Sequence, residues 1–192
     1  MSTKKTKNTT EDDNDLDIVE AFQVNLLDLV TYFNSLTVKI NSAGVKSPCS
    51  SDTLKFGHVY IKSRNPRELI TIFITETWKN WELCSTKDED ILFKNVKALF
   101  PGIPDDNLLT VRQLFDVVDS KGKKIVTEEN KEDIWGFITE LIRMGIIYIH
   151  SERCWGKKSD GKLGYTKVFF KDISISKYAT LFNVEISKPT SS

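Results

Sequence analysis

The stretch LDIVEAFQVNLLDLVTYFNSLTVKI, residues 16–40, decides the architecture. Val19, Phe22, Leu26, Leu29, Phe33, Leu36 and Ile40 recur at spacings of three and four, which lines them up along one side of an α-helix. Their mean spacing of about 3.5 residues is that of a coiled-coil seam. Leu27 and Val30 broaden the stripe, as a helix lying on a globular body requires. Six carboxylates between Glu11 and Glu20, with no base among them, suit the positive end of the helix dipole. The seam therefore has two uses, packing within the chain or contact with a protein partner or second copy. Val19, Phe22, Leu26, Leu29, Phe33 and Leu36 are the candidate protein-interaction residues.

Downstream, Gly44, Pro48 and several serines interrupt the periodicity. Residues 44–64 are expected to form a linker with a short strand or turn, because Phe56, His58 and Tyr60 alternate with Val59 and Ile61. A helix start follows at Asn65, where Pro66 suits the first helical position and Glu68 completes a capping box. That helix is expected to reach about Leu83, with Ile70, Phe73, Ile74, Trp78 and Trp81 inward. Thr86 and Glu89 form a second box, opening a helix that Pro101 and Gly102 stop. Asp105 or Asp106 caps a third, with Leu108, Val111, Phe115 and Val118 inward. After a polar turn and a brief strand at Ile125 and Val126, Thr127 caps a helix to about Met144. Gly145 is read as its stop.

Beyond Gly145 the runs Ile146–His150 and Tyr165–Phe170 are β-branched and aromatic. Gly156, Ser159-Asp160-Gly161 and Gly164 lie between them, so a β-hairpin with a long basic loop is expected. A last short helix ends near Phe182. The expected fold is mainly α (α+β), five to six helices with a C-terminal β-hairpin, and its C-terminal half follows a winged-helix-like order. The expected organisation is a disordered tail at 1–15, the amphipathic helix at 16–43, the linker at 44–64, a helical domain with the hairpin at 65–186, and a frayed end at 187–192.

Composition bounds the rest. The 192 residues carry 27 Lys or Arg and 27 Asp or Glu, a formal net charge of zero. From Arg143 onward, nine bases face four acids, a local basic excess. Three cysteines, Cys49, Cys84 and Cys154, form no CxxC pair, so neither a disulfide framework nor a zinc site is expected. Met1 leads into a polar Lys/Thr segment rather than an apolar one, and no apolar run approaches the ~20 residues of a membrane span. A cytoplasmic chain with no membrane contact is expected.

Chemical motifs are sparse. The segment LFDVVDSKGKKIVTEEN, residues 114–130, superficially suggests a calcium loop. Counting from Asp116 or from Asp119 puts Val118 or Lys121 where an oxygen ligand belongs, and three lysines would repel the ion. Gly122-Lys123 lacks the remaining residues of a phosphate loop. Cys84 or Cys154 would need His58 or His150 brought alongside to act as a nucleophile, and nothing in the spacing arranges that. No catalytic residue, metal, cofactor or small-molecule substrate is therefore assigned. Arg153, Trp155, Lys157, Lys158 and Lys162 combine charge with an aromatic ring, the equipment of a nucleic-acid contact in the loop of a winged helix. Against that use, the helix that would enter the groove begins with Glu128, Glu129, Glu132 and Asp133, which phosphate would repel. A non-enzymatic protein-interaction or structural module is the favoured expectation.

The stretch Phe73–Asn95, with Trp81, Lys87-Asp88-Glu89-Asp90 and Leu92-Phe93, followed by helix and hairpin from Ile134 to Arg153, resembles uncharacterised helical proteins of large nucleocytoplasmic DNA viruses. The resemblance covers about half the chain. It implies a virion component or accessory protein in the host cytoplasm, and it transfers no functional residue.

Overall fold

The computed structural model describes residues 12–94, 112–152, 155–157, 163–165, 170 and 172–186. Helices dominate: α1 (Asp12–Ser42), α2 (Ser51–Ser63), α3 (Pro66–Thr77), α4 (Trp81–Ser85), α5 (Glu89–Lys94), α6 (Glu128–Glu152) and α7 (Ile175–Leu181). Single 3-10 turns occupy Trp78–Asn80 and Leu114–Asp116. The long helices α1 and α6 pack lengthwise on each other, α2 and α3 cover α1, and α7 closes over α4 and α6.

The stripe on α1 builds the centre of the core. Val19, Phe22, Leu29, Phe33, Leu36 and Ile40 are all buried, and Leu26 packs half-buried against them. Phe22 meets the Phe73 ring of α3 with centroids 5.3 Å apart. Polar side chains fix the register of these helices. Asn25 Nδ2 donates to the Phe137 carbonyl of α6. Gln23 Nε2 donates to the Ile61 carbonyl at 2.9 Å, joining the Arg64 N–H as a second donor to this acceptor at the C-terminal end of α2. Helix α1 begins at Asp12, earlier than expected; the expected tail before it and the frayed end after 186 lie outside the described residues.

The expected strand or turn at 56–61 is instead the middle of α2. Ser50 caps it, its Oγ accepting from Thr53 N at 3.1 Å. Leu54 and Ile61 face inward, two helical turns apart, while positions 52, 55, 56, 59, 62 and 63 are exposed. The alternating Phe56, His58 and Tyr60 also fit a helix with one solvated face. The overlooked Ser50 cap settles which period applies.

Asn65 caps α3 as expected, accepting from Arg67 N, with Pro66 in the first turn. Glu68 does not close the box, because it takes the Arg64 guanidinium at 3.0 Å. The expected helix to Leu83 breaks at Thr77. The Trp81 indole N–H donates to Thr77 Oγ1 at 2.9 Å, and that hydroxyl donates to the Phe73 carbonyl at 2.6 Å. This chain satisfies every polar atom of the fully buried Trp81 and Thr77 side chains. The ring of Trp81 also meets Tyr178 of α7 edge-on, with centroids 5.3 Å apart.

Helix α4 ends with Lys87 in the left-handed region at φ +53. Asp88 N bonds to the Leu83 carbonyl and Lys87 N to the Cys84 carbonyl, the paired bonds of a Schellman turn. Asp88, rather than the expected Thr86, then caps α5 by accepting from Asp90 N. The expected helix from Asp105 or Asp106 lies largely outside the described residues; its described end is the Leu114–Asp116 turn. The brief strand at Ile125 and Val126 is not formed. A single bridge joins Val118 to Lys124 across a turn in which Asp119 Oδ1 accepts from Lys121 N and Lys123 N.

The C-terminal β-hairpin is overturned. Ile146–His150 is helical, because α6 runs without interruption from Glu128 to Glu152. Ile138, Leu141, Ile142, Ile146 and Ile149 are all buried along one side, so packing overrides the β preference of isoleucine. Gly145 is not a stop but a point of close approach, where a β-carbon would meet Ile74 and Trp81. The described ladder is a three-residue antiparallel pair, Trp155–Lys157 with Leu163–Tyr165, which shares only Tyr165 with the expected strands. With Ile146–His150 inside α6, the winged-helix order expected from that strand is lost as well.

Candidate protein-interaction surface

The residues assigned to partner contact in the sequence do not form a surface. Val19, Phe22, Leu29, Phe33 and Leu36 are at most 5% exposed, and Leu26 packs beside them. Their apolar area is already covered by this chain's own α2, α3 and α6. Of the basic set, Trp155 and Lys157 belong to the short ladder, whereas Arg153, Lys158 and Lys162 lie outside the described residues.

The thiols are equally withdrawn. Cys49 and Cys84 are free and buried. Burial, with the Asp88 charge adding to it, pushes the Cys84 pKa up to about 12. Burial also raises Cys49, against which the neighbouring Thr37 hydroxyl works. Both thiols are held in the form that is neither nucleophile nor metal ligand. His58 lies on α2 and His150 on α6, not in a strand, and Cys154 is outside the described residues. Among the described residues, no group of three or more His, Cys, Asp or Glu side chains is placed to hold a metal ion.

Some charged side chains tie helices together. Lys131 of α6 is 8% exposed and bonds Glu89 of α5 at 3.1 Å and Glu128 at 2.9 Å. Burial pulls its pKa down, but the two carboxylates outweigh that and raise it. Lys87 pairs with Glu132, and Lys177 of α7 with Glu82 of α4. Near the other end of α1, Tyr32 donates to Asp133 Oδ2 at 2.5 Å and accepts from Asn130 Nδ2 at 3.0 Å. Asn130 Oδ1 in turn accepts from Lys39 and from Thr127. Of the acids read from sequence as hostile to phosphate, Asp133 holds α1, Glu132 takes Lys87 from the turn before α5, and Glu128 bonds Lys131 within α6.

What the fold leaves uncovered is the outward face of α2. Phe56 and Val59 are 65% and 64% exposed, the most exposed large apolar side chains described, and they stand one helical turn apart. Exposed apolar residues elsewhere, such as Val24, Val38 and Ile147, retain less exposure each. The face is rigidly presented: Leu54 and Ile61 anchor its underside, and Gln23 and Ser50 hold its two ends. Lys55 and Lys62 are exposed on the same side, and Arg64 lies over the Tyr60 ring at 4.8 Å. Sequence reasoning missed this surface because 44–64 reads as linker; once α2 is helical, the 56/59 spacing identifies it. Comparison with known protein-family models, curated proteins and solved structures finds no match.

No helix among the described residues is long and apolar enough to cross a membrane.

Proposed function

We propose that the protein is a non-enzymatic interaction module that engages a protein partner through α2. The supporting observation is the pair Phe56 and Val59, each about two-thirds exposed on a helix that its neighbours hold in place. Exposed aromatic and aliphatic anchors on a rigid helix lose little conformational entropy on docking, which is what a small contact needs to bind at all. The area offered is a turn or two of helix, so the contact belongs to the transient class. The α1 seam contributes support from beneath rather than contact.

A photo-crosslinking residue at position 56, used in cells of the native source, tests the reading. Crosslinks to a defined protein, lost when Val59 is changed to Glu, are expected. Substitutions at such exposed positions shift stability by only ~0.5 kcal/mol, so lost crosslinking reports contact rather than unfolding. Crosslinks that are absent, or indifferent to Val59→Glu, overturn it.

A further inference from the structure

We infer that the segment received by α2 is an acidic one, with apolar side chains for Phe56 and Val59 and carboxylates beyond them; this rests on the reading of α2 as the contact face. The argument is the charge around the apolar pair. Lys55 stands one turn before Val59 and Lys62 one turn after it, so the two cations bracket the pair along a single side of the helix. The carboxylate on this side is Asp52, 3.4 Å from Lys55 with both side chains largely exposed, an ion pair too solvated to neutralise the lysine. No ion pair is formed by Lys62 among the described residues, whereas Arg64, further along, is engaged with Glu68. A docking segment therefore meets, at the rim of its apolar contact, Lys62 with no ion pair among the described residues and Lys55 held only in a solvated one, the arrangement that favours carboxylates and penalises lysines.

Lysine beside phenylalanine also suits an anionic lipid surface. An interfacial helix, however, needs a broad apolar stripe to immerse in the headgroup boundary. Helix α2 turns two large apolar side chains outward and commits Leu54 and Ile61 to the core. A peptide with two anchors fits that supply.

The test uses the full chain and three probes: a helical peptide with leucines at i and i+3 flanked by glutamates, the same peptide with lysine flanks, and vesicles containing phosphatidylserine. The acidic peptide is expected to bind about five- to tenfold more tightly than the basic one at low salt, from two solvent-exposed charge pairs. That preference shrinks as salt rises. Lys55→Glu with Lys62→Glu reverses the preference, and Phe56→Glu abolishes binding of either peptide. Equal binding of both peptides, dependent on Phe56 but indifferent to the lysine changes, overturns the acidic partner while leaving the contact face standing. Phe56-dependent binding to vesicles alone, or no binding to any probe, overturns the inference outright.

Discussion

Trp81 lies against Gly145 so closely that a β-carbon at position 145 would stand 3.4 Å from its Cη2 and Cζ2 atoms. Ile74 Cγ1 would be 3.3 Å away on the same side. Glycine there lets the broadest side chain of the core reach the backbone of α6. On the same helix, Gly136 faces open space. Gly136→Ala is therefore expected to raise stability by ~1 kcal/mol through helix propensity alone. At Gly145 the same gain is offset by crowding, so Gly145→Ala is expected to be near neutral, and Gly145→Leu to cost about 1–3 kcal/mol by overpacking. Denaturant midpoints of the three variants check this; equal gains at both glycines would mean that Trp81 yields freely.

At Gly145 two local signals in the sequence compete. A glycine followed by Ile146, Ile147, Tyr148 and Ile149 looks like a helix stop and a strand, yet the interval from Ile138 through Leu141, Ile142 and Ile149 keeps helical spacing. Which signal prevails depends on how Ile74 and Trp81 pack against Gly145, and only tertiary contact supplies that. Helix α1 was legible because seven apolar residues repeat over many turns, more signal than any local alternative. Its use was not, since the same stripe serves a dimer or a core equally well, and α2, α3 and α6 decide it. The α2 face was hidden for a different reason: five alternating residues fit either period, and the deciding Ser50 cap lies outside them.

Lys87 occupies a left-handed position that glycine adopts without strain. Its ammonium, half exposed, pairs with Glu132 of α6. Backbone relief and ion-pair loss thus oppose each other in Lys87→Gly, whereas Lys87→Ala keeps the strain and loses the pair. Lys87→Gly is expected to be more stable than Lys87→Ala by ~1 kcal/mol. Added salt is expected to lower wild type relative to Lys87→Gly by screening the pair, which the variant lacks. Thermal unfolding at low and high salt measures both effects; equal stability of the two variants would exclude strain at Lys87.

Tyr32 makes stability fall in alkali. Burial, and then its hydrogen bond to Asp133, raises its pKa from 10.0 to about 12. Between those values the folded chain holds a proton that the unfolded chain has released. Stability from this group is accordingly full below pH 10.0 and declines as pH climbs toward about 12. Tyr32→Phe is expected to remove that part of the decline, leaving a shallower slope, and to delete one late step, near pH 12, from the tyrosinate absorbance curve. Identical alkaline slopes for wild type and variant would show that Tyr32 ionises alike in both states.

The thiols test whether the chain is built for bond-making. With its pKa pushed to about 12, Cys84 has almost no thiolate near neutral pH, and its sulfur is buried besides. In a Cys154→Ser background, Cys49 and Cys84 are expected to react with an aromatic disulfide reagent only through opening of the fold. The labelling rate should then follow stability: slower in Gly136→Ala and faster in Gly145→Leu, in proportion to the measured free energies. A catalytic cysteine would behave otherwise, reacting quickly in the native state and losing that rate when the surrounding structure is loosened. Rapid native-state labelling of Cys84, unchanged by either glycine substitution, would place it in an accessible site and reopen an enzymatic role.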